Sequence, residues 1–307
     1  MIIDQAYLGT VAEYDPLFIE NTRVIWTVEK TKEVAEAGKD VNVTKQPFVV
    51  FLSGNDTTGL LSSVARSDTN MLLVVNPLTN TIQTISIPRD AYVPLMCRKN
   101  TPMDKLTHAG VYGVDCSIKT MEAIYGVDIN YYVRINFSTV ISLVETIGYI
   151  EVDNPVAFTD KGYDFHLGKL RLNAPMTLLY ARQRHAFEDS DIQRGANQQQ
   201  VIKGVIKRLT EPLMITKIES IISVVSRLVD TNVSGEDLMA LIRKQIQNNK
   251  DWTVNSYTIT GTGDMKGTYS MGFERPLYVV HLNEDDVAEA KRLIQNALSL
   301  TDTKVAE

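Results

Sequence analysis

The chain has 307 residues, of which 44% are hydrophobic and 22% charged, a balance that suits a globular fold with a sizeable core. Its formal net charge of −6 and pI near 5.4 exclude a generic nucleic-acid binder, because affinity for a phosphate backbone needs a basic face. Any anionic ligand must therefore be met by local arginines. No run approaches the roughly 18 to 20 apolar residues that cross a bilayer, and the opening MIIDQAYLGTVAEYDP lacks a basic region followed by an apolar one.

Residues 1–45 hold a helical-looking stretch, a strand at Arg23–Glu29 and a charged segment, TKEVAEAGKD. They read as the tail of a preceding region. From Pro47 the pattern changes to FVVFLSGND, NMLLVVNP and TIQTISIPRD, three β-rich apolar runs closed by polar or turn residues. The first two are near-continuously apolar, as strands covered on both faces are. Asp115 is the expected N-cap of a helix through CSIKTMEAIYG, with Gly126 its stop. INYYVRIN reads as a strand and STVISLVETIG as a helix capped by Ser138, with Val140, Leu143, Val144 and Ile147 on one face. After the short strand YIEV, FTDKGYDFHLGKLRLN reads as polar turns, followed by helices at NAPMTLLYARQRH and RGANQQQVIKGVIKRL. The last third offers two amphipathic helices (TKIESIISVVSRLV and SGEDLMALIRKQI), strands at TVNSYTI and PLYVV, and a terminal helix from Asn283. Strands mixed with helices, without repeats, predict one layered α/β domain whose sheet need not be wholly parallel.

Ligands of open α/β sheets lie beyond the carboxyl ends of strands. There stand Asp56 after the first run and Arg89 with Asp90 after the third, with Arg66 and Asp68 in the RSDT loop ahead of the second. A second concentration is YARQRHAFEDSDIQRGANQQQ, which carries Arg182, Arg184, Asp189, Asp191, Arg194, Gln198 and Gln199. A polar helix connection with surface ion pairs would account for it blandly. Arg182 and Arg184 are two residues apart, about 200° around a helix, and so cannot decorate one solvent face. Arginine forks bind phosphate oxygens by paired hydrogen bonds, and neighbouring carboxylates suit Mg²⁺ or Mn²⁺. Walker A and GxSxG motifs are absent. His108 and His185 lack a second histidine at metal-ligand spacing and are read as structural or supporting groups. Cys97 and Cys116 fit neither a CxxC pair nor a zinc site; they are two small buried hydrophobes or a disulfide, as the compartment decides.

The ordered series FLSGND, RSDTNMLLVVNP, ISIPRDAYV, DKLTHAGVYG, INYYVRINF and LLYARQRH followed by DIQRGANQQ resembles the LytR-CpsA-Psr family from Pro47 to about Leu209. The resemblance implies an α/β/α-like layered domain with a central mixed sheet and an apolar tunnel for a polyprenyl chain. Residues 1–45 would be the tail of an N-terminal accessory region and 46–307 the catalytic domain. By motif position, Arg66, Arg89, Arg182, Arg184 and Arg194 would hold a diphosphate and Gln198 would line the site. Asp56 and Asp68 would hold Mg²⁺ or Mn²⁺, and Asp191 would be an acid/base or positioning group, which makes Arg89, Arg184 and Asp191 the catalytic candidates. Many members have Arg-Gln where this chain has Asn197-Gln198.

The activity so implied is transfer of a polyprenyl-diphosphate-linked glycopolymer, such as a teichoic acid or capsular polysaccharide, onto a peptidoglycan hydroxyl, with side pyrophosphatase activity where water enters. The rival reading is a polyisoprenoid-lipid or wall-binding module without chemistry. Members face outward from the membrane of Gram-positive bacteria on a single-pass anchor, here absent from the chain. In that oxidising setting a Cys97–Cys116 bridge is expected.

Overall fold

The computed structural model describes residues 41–55, 65–183, 190–248 and 250–299. The strand at Arg23–Glu29 and residues 1–40 of the accessory tail expected over 1–45 lie outside them. Strands β1 (Phe48–Asn55), β2 (Thr69–Asn76) and β3 (Thr81–Ile87) form an antiparallel meander. β4 (Tyr92–Pro94) pairs with β5 (Met103–Lys105), which leads into the one-turn helix α1 (Leu106–Ala109) and then α2 (Val114–Tyr125). β6 (Tyr131–Asn136) and α3 (Phe137–Ile147) precede β7 (Ile150–Asn154), a ribbon of β8 (Phe158–Asp160) with β9 (Tyr163–Phe165), and β10 (Gly168–Leu172), which pairs back onto β7. Next come α4 (Ala174–Arg182), α5 (Ser190–Leu209), α6 (Ile218–Leu228), β11 (Asp230–Thr231), α7 (Gly235–Asn248) and β12 (Thr253–Thr258). A hairpin of β13 (Gly261–Thr268) and β14 (Gly272–Leu282) precedes α8 (Glu284–Ser299).

The central sheet has the order β11-β6-β1-β2-β3-β12. β6 is parallel to β1 and β12 to β3, so the sheet is mixed. The two-residue alternation of strands divides its side chains between two covered faces. Val49, Phe51, Leu72, Val74 and Ile85 pack on one side with Ile118 and Met121 of α2 and Ile294 of α8. Phe48, Val50, Leu52, Met71 and Leu73 pack on the other with Ile202 and Ile206 of α5 and Leu241 of α7. This double burial explains why the first two runs read as continuously apolar, and it makes an α/β/α sandwich. Leu72, fully buried at the centre, would cost about 2–5 kcal/mol if truncated to alanine. A smaller core, built from α3, the β7/β10 pair, α4 and α5, flanks the sandwich.

Three local expectations are corrected. The N-cap of α2 is Gly113 and Asp115 lies inside the first turn; there it still favours the helix through the partial positive charge of the terminus. α3 is capped by Asn136, not Ser138: its side chain accepts from Thr139 N at 3.0 Å while Thr139 Oγ1 accepts from Asn136 N at 3.4 Å, a reciprocal box. FTDKGYDFHLGKLRLN is not all turn, since it forms β8, β9 and β10. Gly126, with φ of 66°, ends α2 in the left-handed conformation as read.

Candidate functional site

β1, β3, β6 and β12 run one way and β2 the other. The ends Asn55, Ile87, Asn136 and Thr258 therefore meet the start of β2, Thr69, at a single edge of the sheet. Two hollows adjoin there and share Asp68, Thr69 and Gln198. One, of about 100 Å³, is the more polar of the two and is lined by Arg89, Asp90 and Arg194 among others. The other, of about 50 Å³, is walled by Leu52, Ile135, Phe137, Val140, Val201 and Ile202.

Arg89 is fixed from several directions. Its Nη1 donates to Asp68 Oδ1 and its Nε to Asp90 Oδ2 at 3.4 Å. Asp90, 6% exposed, also accepts from Lys105 Nζ at 2.9 Å, and a carboxylate that buried needs cations beside it. The backbone is pinned as well: Thr107 N donates to Arg89 O at 2.8 Å, Leu106 N to Ala91 O at 2.9 Å and Val280 N to Asp90 O at 2.8 Å. Below this layer the fully buried Asp104 accepts from Lys105 N at 2.7 Å and Ser270 N at 2.8 Å, with His108 Nδ1 2.6 Å away and Ser270 Oγ donating to it too. Tyr112 OH contacts Ser270 Oγ at 2.9 Å, and burial pushes its pKa well above the ordinary tyrosine value, so it stays protonated. His108 is thus a structural partner of Asp104.

α5 supplies the opposite wall. Arg194 and Gln198 are one turn apart and both face the polar hollow. Thr69 Oγ1 donates to Gln198 Oε1 at 2.6 Å, and Gln199 Nε2 to Thr258 Oγ1 at 2.6 Å, tying the helix to β2 and β12. Asn197 is buried and donates to Tyr180 O at 3.1 Å, so at this position the chain uses a staple between α5 and α4. Burial pushes the Tyr180 hydroxyl up to about 12, with the Asp153 carboxylate adding to the rise.

Of the residues singled out in the sequence, Asp68, Arg89, Arg194 and Gln198 come together in this cleft. Arg182 closes α4 with its guanidinium 3.9 Å from the Phe137 ring centroid, beside the apolar hollow. Arg66 is exposed on the segment entering β2, its carbonyl accepting from Asn55 Nδ2 at 2.5 Å. Neither is among the described residues lining the polar hollow. Asp56, Arg184, His185 and Asp189 lie outside the described residues, as does the side chain of Asp191, whose backbone is in the first turn of α5. Cys97 and Cys116 are joined by a disulfide with Cα atoms 4.9 Å apart.

Lys105, Asn70 and Tyr278 escaped the sequence reading. Lys105 stands in the DKLTHAGVYG motif and Asn70 in RSDTNMLLVVNP, so a signal existed for both; Tyr278 carried none beyond residue type. Around Asp68, Asn55 Oδ1 and Asn70 Oδ1 are buried without a hydrogen-bond partner among the described residues. Carboxylate and amide oxygens are donors that fit a hard cation such as Mg²⁺ or Mn²⁺. No group of at least three His, Cys, Asp or Glu side chains able to hold a metal occurs among the described residues.

A layered α/β/α domain whose strand ends hold an arginine cleft against an apolar hollow defines a protein suited to an anionic head group on an apolar tail. The chain belongs to the LytR_cpsA_psr family, whose sequence model matches residues 19–285. It is 33% identical over 220 residues, 71% of this chain and 70% of the relative, to the polyisoprenyl-teichoic acid–peptidoglycan teichoic acid transferase TagU of Bacillus anthracis. Among solved structures it resembles B. subtilis TagV, with TM-score 0.69 and 25% identity over 84% of this chain and 99% of that one. It also resembles TagT bound to LI-WTA, with TM-score 0.65 and 26% identity over 85% and 94% of the two chains.

Proposed function

We infer that this protein is a phosphotransferase that moves a polyprenyl-diphosphate-linked glycopolymer, a wall teichoic acid or a similar polymer, onto peptidoglycan. The observation that carries the reading is the shared wall between the arginine cleft and the apolar hollow, because only an amphiphilic diphosphate uses both. α5 extends the apolar side: Val201 and Ile202 line the small hollow, and Ile206 and Leu209 line a further cavity of about 310 Å³ with Ile221, Val225, Leu241 and Trp252. From Arg194 to Leu209 the helix rises roughly 22 Å, a path along which a polyprenyl chain would lie.

In this reading Arg89 and Arg194 grip the diphosphate oxygens by charge-assisted forks, and Arg66, Arg182 and Arg184 would add to that grip. A peptidoglycan hydroxyl, the 6-hydroxyl of N-acetylmuramic acid, attacks the phosphorus that carries the glycopolymer. The bond from that phosphorus to the bridging oxygen breaks, polyprenyl phosphate leaves, and a phosphodiester links polymer to wall. The hydroxyl proton passes to a carboxylate, for which Asp191 is the candidate. Asp68 with Asp56 would hold Mg²⁺ or Mn²⁺, which neutralises diphosphate charge when bound. Because the apolar walls exclude water, hydrolysis remains a side reaction. The acceptor places the domain outside the membrane, held there by an anchor. Among the described residues no helix is long and apolar enough to cross a membrane.

The test is transfer of a labelled saccharide from a polyprenyl diphosphate to peptidoglycan with added Mg²⁺ or Mn²⁺. Wild-type protein is expected to form the covalent product and Arg89→Ala to lose at least about 100-fold of the rate. Tight lipid binding without any transfer or hydrolysis would make the protein a carrier instead.

A further inference from the structure

The β13/β14 hairpin leaves three large apolar or aromatic side chains exposed: Met265, Phe273 and Tyr278. Only Tyr278 lines the cleft. Val280 N donates to Asp90 O at 2.8 Å and Val280 bridges Ala91, so β14 is docked on the residue next to Arg89. Tyr278 and Val280, two residues apart, project from the same side of the strand and both line the polar hollow.

The ring of Tyr278 lies over Gly263. A β-carbon at Gly263 would meet the tyrosine Cε2 at 2.7 Å, its hydroxyl at 2.8 Å and its Cζ at 3.0 Å. The missing side chain lets the ring rest against the backbone, while Tyr278 as a whole remains 51% exposed. An aromatic ring that rests against a glycine and stays half exposed, beside an arginine cleft, offers apolar surface with a polar tip. The apolar hollow walled by Phe137, Val140, Val201 and Ile202 adjoins the cleft across Asp68, Thr69 and Gln198, whereas Tyr278 lines only the polar hollow. If the lipid tail takes the apolar hollow, the group on the far phosphate emerges past Tyr278.

We propose that Tyr278, seated on Gly263, is the stacking platform for the first sugar of the lipid-diphosphate donor, the pyranose bonded directly to the diphosphate. The inference rests on the function proposed above and adds a specificity residue to it. The C–H face of the sugar covers the open face of the ring, and the hydroxyls at its edge stay solvated. Arg89 and Arg194 hold the diphosphate for any lipid, and Tyr278 separates a glycosylated lipid from a bare one.

The experiment measures binding of polyprenyl diphosphate and of polyprenyl diphosphate carrying a single pyranose sugar, together with the KM for peptidoglycan. The wild type is expected to prefer the glycosylated lipid. Tyr278→Ala should bind that lipid about tenfold more weakly and the bare one within twofold of the wild type. Tyr278→Phe, which keeps the ring, should retain the preference, and Gly263→Ala, which displaces it, should lose part of it. Unchanged preference in Tyr278→Ala overturns the proposal. So does a loss confined to the KM for peptidoglycan, which would give the ring to the acceptor strand. Failure of the wild type to bind either lipid would instead remove the underlying function, and the two failures are distinct in the data.

Discussion

Reduction of the Cys97–Cys116 bridge removes a cross-link with a sequence separation of 19. By the chain-entropy relation, a closed loop of that size restricts the unfolded chain by about 3 kcal/mol. Cys116 is fully buried in the main core; reduction leaves that packing in place, whereas alanine there would add a cavity term. For a domain of this size about 3 kcal/mol corresponds to a fall in Tm of roughly 6–12 °C. The loop also contains Lys105, which holds Asp90, and Thr107, which holds the Arg89 carbonyl. Arg98 lies 4.8 Å from the Tyr112 ring centroid and 5.5 Å from that of Tyr269, so contacts remain to keep the loop docked after reduction. A marked loss of stability with a smaller loss of turnover is therefore expected. Calorimetry of oxidised protein and of reduced protein with both thiols verified by alkylation tests this. A change in Tm of less than about 2 °C would refute the entropic reasoning.

Arg89→Lys should lose at least about tenfold in transfer rate at unchanged Tm, because a single ammonium cannot reproduce a guanidinium fork that meets Asp68, Asp90 and a phosphate; wild-type kcat/KM would remove Arg89 from the site. Chelation should depress turnover and Mg²⁺ or Mn²⁺ restore it, while Asp68→Ala should resist rescue; full activity after exhaustive chelation, with metal absent by mass spectrometry, would dismiss the cation. Glu122 accepts from Ile129 N at 3.0 Å, and burial, reinforced by Asp128, raises its pKa above the ordinary glutamate value. A raised folded-state pKa gives stability that is complete below the unfolded value and is lost as pH rises through the folded one. Glu122→Gln keeps the acceptor and cannot ionise, so it should exceed the wild type in Tm near pH 7 and match it near pH 4; equal Tm at both pH values would contradict the sign.

The sequence made the sheet and its flanking helices legible because both faces of β1 and β2 are buried, which leaves long apolar runs, and because α2 and α3 end at glycines. It did not reveal β8 and β9, since a ribbon outside the main sheet needs little apolar patterning: Thr159 and Asp164 bond across it at 2.8 Å, and Lys161 and Gly162 turn it with φ of 45° and 82°. Cap identity failed at Ser138 because Asn136, two residues earlier, already caps the helix through Thr139 N, which leaves Ser138 inside the first turn. Within the site, Asp68, Arg89, Arg194 and Gln198 were legible from motifs whose order sets their place. Lys105, although inside a motif, and Tyr278 did not show their roles, because those roles lie in tertiary contacts. Nothing local marks a lysine as the partner of an aspartate across a small ribbon, or a tyrosine in an apolar run as resting on Gly263.

The pairing of β12 with β3 joins Thr253 to Thr81 and Thr258 to Ser86, and it gives the cleft a late wall. A chain that emerges vectorially from its amino end displays Asp68 and Arg89 long before Thr258 and Val280 are available to enclose them. Closure of that non-local pair is intrinsically slow. Without β12, the edge of β3 would offer unpaired backbone groups to any neighbouring strand. The cleft is therefore complete only when the last third of the chain has joined the sheet.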